Sequence, residues 1–286
     1  MKIVVNKQDD NLTLKEFLLN KGFSPTLIRK YKNRGKMLVN GEASIVNRIV
    51  FEGDVVELFL DDENTSVSPE KMDLHICYED DDILVVNKDA GVVVHPTAGH
   101  PDGTLANGVA WYYERNNINA PIRPVNRLDR DTSGLIIFAK NPFMQNYLQI
   151  VCPMKKLYIA IVQGDLEDRG TIDLPIKRKP GSTIERMVDD EGDTAVTHFR
   201  LLKRGERLSL VKLELKTGRT HQIRVHLSHI GHPIIGDTLY GSDTSYIKRQ
   251  ALHAYRLTFK QPFIGKCISL YSPIPDDMKA VLKNAF

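Results

Sequence analysis

Apolar and polar residues repeat along this chain with two different periods, and the change between them divides it. Near the N-terminus Leu14, Phe17 and Leu18 recur at helical spacing behind Thr13 and Glu16, the capping-box pattern of a helix start. Gly22 can end that helix, and Ser24-Pro25 supplies the N-cap and first position of a second one carrying Leu27 and Ile28. The period then falls to two. Met37-Leu38-Val39, an Asn40-Gly41 hairpin turn and a run from Val55 to Leu60 read as strands. Residues 61–72 are polar, contain Pro69 and have the composition of a linker. The expected organisation is therefore a small module at 1–60, a linker at 61–72 and a larger domain at 73–286.

Strand patterns dominate the larger part. Leu74 to Tyr78 and Ile83 to Lys88 flank an acidic turn and read as a hairpin. Leu135 to Lys140, Leu157 to Val162, Thr194 to Leu202, Leu208 to Leu215 and Leu252 to Phe259 continue the β character. Helices are expected over Leu105 to Tyr113 behind Thr104, over Pro142 to Val151, and over His221 to Ile230 with Gly231 as its stop. Strands in runs with a few helices between them predict an α+β fold: a mixed, mainly antiparallel sheet with flanking helices, plus a small N-terminal α/β module.

Composition narrows the class without naming a function. The chain has 286 residues, 42% of them hydrophobic and 26% charged, which suits a folded protein with a substantial core. A net charge of +3 permits a polyanionic partner and does not require one, so the distribution of charge matters more. Arg29, Lys30, Lys32, Arg34 and Lys36 crowd around Tyr31 on the second helix; Lys177, Arg178 and Lys179 form another basic stretch, read as a loop. Either can be a solvated face or a set of phosphate contacts. Cys77, Cys152 and Cys267 lie far apart with no C-x-x-C pair, which excludes a disulfide framework and a structural zinc site; buried thiols in a reducing cytoplasm are expected. The N-terminus lacks the apolar core of a signal peptide, and no apolar run approaches the roughly 18 residues that suggest a membrane span.

The candidate chemistry sits between residues 123 and 134. No phosphate-binding glycine loop, dinucleotide turn, H-E-x-x-H helix or zinc-deaminase signature is present. The segment Arg123-Pro124-Val125-Asn126-Arg127-Leu128-Asp129-Arg130-Asp131-Thr132-Ser133-Gly134 is densely polar and runs straight into an apolar strand, which places it at a sheet end. Arg127 and Arg130 flank Asp129 in sequence, and nearby cations favour an ionised carboxylate. Local physics alone favours an ordinary surface salt-bridge loop over a catalytic one.

Longer motifs then add a resemblance. Arg127 to Gly134 reads R-L-D-x-x-T-S-G, similar to the signature of the RluA-type pseudouridine synthases. Val85-Val86-Asn87-Lys88, His95-Pro96, Lys156-Leu157-Tyr158, the run Gly218 to His226, the run Gly231 to Asp237 and Leu252-His253-Ala254 resemble further family motifs in the same order. The N-terminal module resembles an S4 RNA-binding domain, with its two short helices, basic second helix and V-N-G turn. The resemblance implies an RNA-modifying isomerase that turns uridine into pseudouridine in ribosomal or transfer RNA, cytoplasmic and monomeric, with no cofactor, no metal and no membrane contact. It assigns catalysis to Asp129, an active-site role to Tyr158 and an ion pair with Asp129 to Arg219. It leaves Arg29, Lys30, Lys32, Arg34, Lys36, Arg127, Lys177, Arg178, Lys179 and Arg224 as RNA contacts. Two positions depart from the pattern: Asn126 stands where the family commonly has His, and Asp89 where it usually has Pro. Asn hydrogen-bonds but does not titrate. The other readings are an RNA-binding assembly factor with little catalysis and a carboxylate-dependent nucleoside hydrolase, which would release free uracil.

Overall fold

The computed structural model describes residues 1–60, 67–152, 154–241, 243–262 and 265–285. The N-terminal part contains β1 (Lys2–Val4), β2 (Leu12–Thr13), α1 (Leu14–Asn20), α2 (Pro25–Arg34), β3 (Gly35–Val39), β4 (Glu42–Ala43), β5 (Ile49–Val50) and β6 (Val55–Leu60). The capping box forms: Thr13 Oγ1 accepts the Glu16 N–H at 3.2 Å while the Glu16 carboxylate accepts the Thr13 N–H at 2.9 Å. Ser24 caps α2 by accepting the Leu27 N–H, with Pro25 at the first helical position. Asn40 and Gly41 both have positive φ, 56° and 81°, which lets β3 turn directly into β4.

The larger part comprises β7 (His75–Glu79), β8 (Ile83–Lys88), α3 (Leu105–Arg115), β9 (Arg123–Pro124), β10 (Ser133–Ala139) and α4 (Pro142–Asn146), the last running into a π-helical turn at Tyr147–Val151. Then follow β11 (Lys155–Gln163), β12 (Arg169–Asp173), β13 (Ile176–Arg178), β14 (Arg186–Val188), β15 (Val196–Arg204), β16 (Leu208–Leu215), α5 (Gln222–His229), β17 (Leu252–Lys260), β18 (Cys267–Tyr271) and α6 (Asp276–Ala285). One large sheet runs in the order β12-β15-β16-β11-β17-β10-β8-β7, with β18 on β17 and β9 on β10. Among the described residues only β10 and β17 pair in parallel within it, so the fold is the expected mainly antiparallel α+β arrangement.

The middle of this sheet is covered on both faces. Every residue of β10 is buried, and alternation sends its side chains to two different cores. Leu135 and Ile137, with Ile83 and Val85 of β8, join the core that holds Leu14, Phe17 and Phe23 of the N-terminal part. Ile136 and Phe138, with Leu84 and Val86, pack against Leu105, Val109 and Tyr113 of α3. A strand buried on both sides needs a continuous apolar run, which explains Leu135-Ile136-Ile137-Phe138-Ala139. Phe23 makes the join between the two parts, stacked on Phe143 of α4 with ring centroids 4.1 Å apart. The N-terminal module and the large sheet thus share one core.

Several expectations change. Of the 61–72 linker, residues 61–66 lie outside the described residues, while Val67 is buried and Met72 packs beside α3. The thiols of Cys77 and Cys267 are exposed rather than buried, because β7 and β18 lie at the margins of the sheet. Lys177 and Arg178 are not in a loop; they end β13 of a two-stranded hairpin with β14. No helix among the described residues is long and apolar enough to cross a membrane. Phe23→Ala removes the ring that joins the two parts and is expected to lower stability by about 3–5 kcal/mol, with the midpoint of urea unfolding as the check.

Candidate active site

The loop between β9 and β10 is set by its own backbone accounting. Val125 donates its N–H to Ile137 O at 2.8 Å. At the next position the side chain takes over: Asn126 Nδ2 donates to Leu135 O at 3.0 Å and its Oδ1 accepts the Ile137 N–H at 2.9 Å. The main chain is then free to leave the sheet, and Arg127 to Thr132 form the loop.

Two cations hold that loop from behind. Lys88 is 1% exposed, and its ammonium donates to the carbonyls of Asp89, Val92 and Arg130, each at 2.8 Å. Burial pushes its pKa down to about 7 against the pull of Asp131 and Asp129. Arg249 donates to Asp131 O at 3.1 Å while its other two nitrogens bind Asp277 at the start of α6. Gly134 closes the loop at the parallel junction with β17. Its φ is +117°, and a Cβ there would meet Ala254 O at 2.3 Å, so no side chain fits.

Opposite lies the segment leading into α5. Gln222 anchors it: its Oε1 accepts the Arg219 N–H and the Thr217 hydroxyl, and its Nε2 donates to Val196 O and Thr197 Oγ1. Helix α5 starts at Gln222 rather than at His221, because His221 adopts the left-handed conformation at φ 57°. Between the two segments opens a cleft of about 400 Å³ whose lining includes Arg127, Asp129, Tyr158, Arg219, His221 and Arg224.

The partner of Asp129 differs from the expected one. Arg224 Nη1 donates to Asp129 Oδ2 at 2.9 Å, whereas Arg219 turns away to Thr194 O at 3.1 Å and approaches Asp193 at 3.6 Å. The helical register decides this: Arg224, two residues into α5 from Gln222, points at the loop. Nor is Arg224 available to RNA. Its residue is 7% exposed, and Nε and Nη2 form a fork on Asp237 at 2.7 and 2.9 Å. Burial works against the guanidinium charge, but Asp237 and then Asp129 outweigh it and raise the pKa above its ordinary value. Arg127 and Arg130, the sequence neighbours of Asp129, do not pair with it. Arg130 binds Asp131, and Arg127 is exposed at the cleft.

Tyr158 lies on β11 and is 5% exposed at the cleft wall. Burial first, then the charge of Asp129, raises its pKa, so the phenol keeps its proton. His226 is a scaffold residue: it is fully buried, with Thr197 Oγ1 on Nδ1 and Leu174 O on Nε2. Among the other expected RNA contacts, Arg29, Lys32, Arg34 and Lys36 are exposed, and Lys30 is half-buried. Lys177 pairs with Asp189 and Glu191, and Lys179 with Glu185, while Arg178 is exposed with no ion pair among the described residues. Sequence reasoning assigns no role to Asp237, Lys88 or Tyr240. Asp237 lies inside a matched motif, but nothing in its spacing shows that it is fully buried. No cluster of three or more His, Cys, Asp or Glu able to hold a metal occurs among the described residues.

Residues 82–229 match the RNA pseudouridylate synthase family. The protein named "Uncharacterized RNA pseudouridine synthase YjbO" of Bacillus subtilis is 39% identical over 280 residues, covering 96% of this chain and 99% of that one. The Haemophilus ducreyi protein named "Ribosomal large subunit pseudouridine synthase D" is 36% identical over 282 residues, covering 91% and 86%. Among solved structures, Human RNA Pseudouridylate Synthase Domain Containing 1 superposes with a TM-score of 0.59 at 28% identity, covering 73% of this chain and 87% of that one. The chain belongs to the RNA pseudouridylate synthase family and is an isomerase acting on RNA.

The two arginines separate in a direct test. Arg224→Met strands buried Asp237 and is expected to cost about 3–5 kcal/mol. Arg219→Met, on a side chain 42% exposed, is expected to change stability by less than about 0.5 kcal/mol. Thermal unfolding of both variants beside the wild type is the check.

Proposed function

We propose that this enzyme modifies uridine in large-subunit ribosomal RNA, with Asp129 as the catalytic carboxylate. The observation that carries the assignment is the asymmetry of Asp129. Its Oδ2 is held by Arg224, while its Oδ1 accepts no hydrogen bond among the described residues, His221 Nε2 standing 3.8 Å from it, and the residue lines the cleft. The choice of ribosomal RNA rests on the name of the Haemophilus relative.

The reaction breaks the bond from ribose C1′ to uracil N1, turns the base, and joins C1′ to C5. C5 loses a proton and N1 gains one. No electrons or groups are exchanged with another molecule, so side chains supply all that the step needs. A fixed carboxylate can act as nucleophile or base along this path. Tyr158 gives the base an aromatic wall, and its retained proton gives a donor. A stacked or paired uridine must be extruded first, at a cost of about a few kcal/mol that RNA contacts elsewhere offset.

Those contacts are the role we assign to the N-terminal module, in keeping with its resemblance to an S4 domain. Arg29, Lys32, Arg34 and Lys36 lie exposed on α2 and β3, with no ion partner among the described residues. Arg127 adds an exposed cation at the cleft, and Arg178 another on the β13–β14 hairpin. A monomer in the cytoplasm fits this reading.

Total RNA from cells lacking the enzyme, incubated with wild-type protein, is expected to gain pseudouridine at one or a few large-subunit positions when mapped. Asp129→Asn is expected to add none. Gain of pseudouridine only in transfer RNA sinks the substrate assignment, and full activity of Asp129→Asn sinks the residue assignment. Replacing Arg29, Lys32, Arg34 and Lys36 together by Ala is expected to weaken RNA binding. The slope of log affinity against log salt should fall by about 0.7–0.9 for each phosphate that the variant no longer neutralises, measured by filter binding.

A further inference from the structure

His221 occupies a backbone conformation that nothing local rewards. Asn11, Asn40 and Asn117 are the other non-glycine residues with positive φ among those described, and Asn tolerates that region. His221 enters it at φ 57° and stands at the N-cap of α5 without capping the helix. Its imidazole instead turns into the cleft, with the side chain 11% exposed. Observed strain of this kind at a cleft points to a function for the side chain.

The hydrogen bonds around it are consistent with one tautomer. Tyr240 Oη accepts the backbone N–H of Arg186 at 2.9 Å and lies 2.9 Å from His221 Nδ1. With one lone pair of Oη taken by Arg186, we assign the phenol hydrogen to Nδ1, so that Tyr240 donates to the ring. Burial lowers the pKa of His221, which agrees with a neutral ring. A neutral ring that accepts at Nδ1 carries its hydrogen on Nε2. Nε2 points to Asp129 Oδ1 across 3.8 Å, too far for a hydrogen bond and on the side of the carboxylate that Arg224 leaves open.

We propose that His221 is a second catalytic residue, a neutral Nε2–H donor oriented by Tyr240 and aimed at the uracil ring during isomerisation. This rests on the pseudouridine synthase reading of the cleft. When the C1′–N1 bond breaks, its electron pair stays with uracil, and the ring oxygens take up negative charge. The Nε2–H donates a hydrogen bond to one of those oxygens and keeps its proton. Such a donor, held in place before the charge develops, stabilises the transition state more than the ground state. Tyr240 acts through His221 and is a positioning residue. Its contact with the Arg186 backbone also ties the β13–β14 hairpin to the same proton.

The test uses the full-length protein and total RNA from cells that lack the enzyme and were grown on uridine tritiated at C5; tritium release follows loss of the C5 hydrogen. His221→Ala is expected to lower kcat by about a hundredfold with KM changed less than threefold. His221→Gln, whose amide can supply an N–H near the Nε2 position, is expected to recover at least tenfold of that loss. Tyr240→Phe is expected to lower kcat by about tenfold, and His221→Ala/Tyr240→Phe to be no slower than His221→Ala. If His221→Ala leaves kcat unchanged or acts only on KM, His221 is an RNA contact and the proposal fails. Additive losses in the double variant remove the role of Tyr240. Should His221→Ala fail to fold, His221→Gln and Tyr240→Phe decide, since an unchanged kcat in Tyr240→Phe overturns the orientation argument. Wild-type protein that releases no tritium overturns the enzyme reading itself, a different outcome from active wild type with an equally active His221→Ala.

Discussion

Arg224 carries a full positive charge where its residue is 7% exposed, and the site is built around making that tenable. A buried guanidinium needs anions placed to match its fork of N–H groups. Asp237, itself fully buried, takes Nε and Nη2, leaving Nη1 as the donor for Asp129. One constraint therefore does two things. It stabilises a charge in the interior, and it makes the two oxygens of Asp129 unequal, one clamped and one open to the cleft. Lysine could not satisfy both carboxylates in this geometry, because a point ammonium lacks the flat fork. The ion pair also spans 95 residues of sequence, so Asp129 is placed only when β10 and α5 have both found their positions.

The sheet sets those positions. Strand β17 pairs with β10 on one side and β11 on the other, bringing the Asp129 loop beside Tyr158. The parallel contact requires glycine at 134, where Ala254 O leaves no room for a Cβ. On the β8–β10 side, the N-terminal module covers the face that α3 does not. Because that module shares its core with β10, its exposed cations stand in a fixed relation to the cleft rather than on a free tether. An RNA bound by both as proposed would meet a rigid spacing, a physical basis for choosing one uridine among many.

The periodic parts of this fold are legible in the sequence. Capping at Thr13 and Ser24, the Asn40-Gly41 turn and the long strands each follow from local propensity that agrees with the tertiary structure. Strands β1, β12, β13 and β18 are not, because runs of three to five residues hold too little alternation to stand out. Helix α6 also escapes the pattern reading, although Met278 and Val281 face the core at helical spacing. At the site, motif order points to Asp129 and Tyr158 as cleft residues, but it places the ion pair on the wrong arginine. Arg219 and Arg224 are both within a short basic segment, and only the left-handed turn at His221 decides which one begins to point inward. That turn leaves little sequence signal, since no glycine or asparagine marks it.

Asn126 stands directly before Arg127-Leu128-Asp129, and its contacts show what that position needs from a side chain. Its amide gives one hydrogen bond to Leu135 O and takes one from the Ile137 N–H, the next rung of the β9–β10 ladder made by a side chain. The position needs one donor and one acceptor. An amide has both, and so does a neutral imidazole. With both ends engaged by β10, neither side chain is required to move a proton. The role is to let the main chain leave the sheet one residue before Arg127 while the strand edge stays satisfied. On the proposed assignment, the reacting groups are then the Asp129 carboxylate and the side chains around its open oxygen.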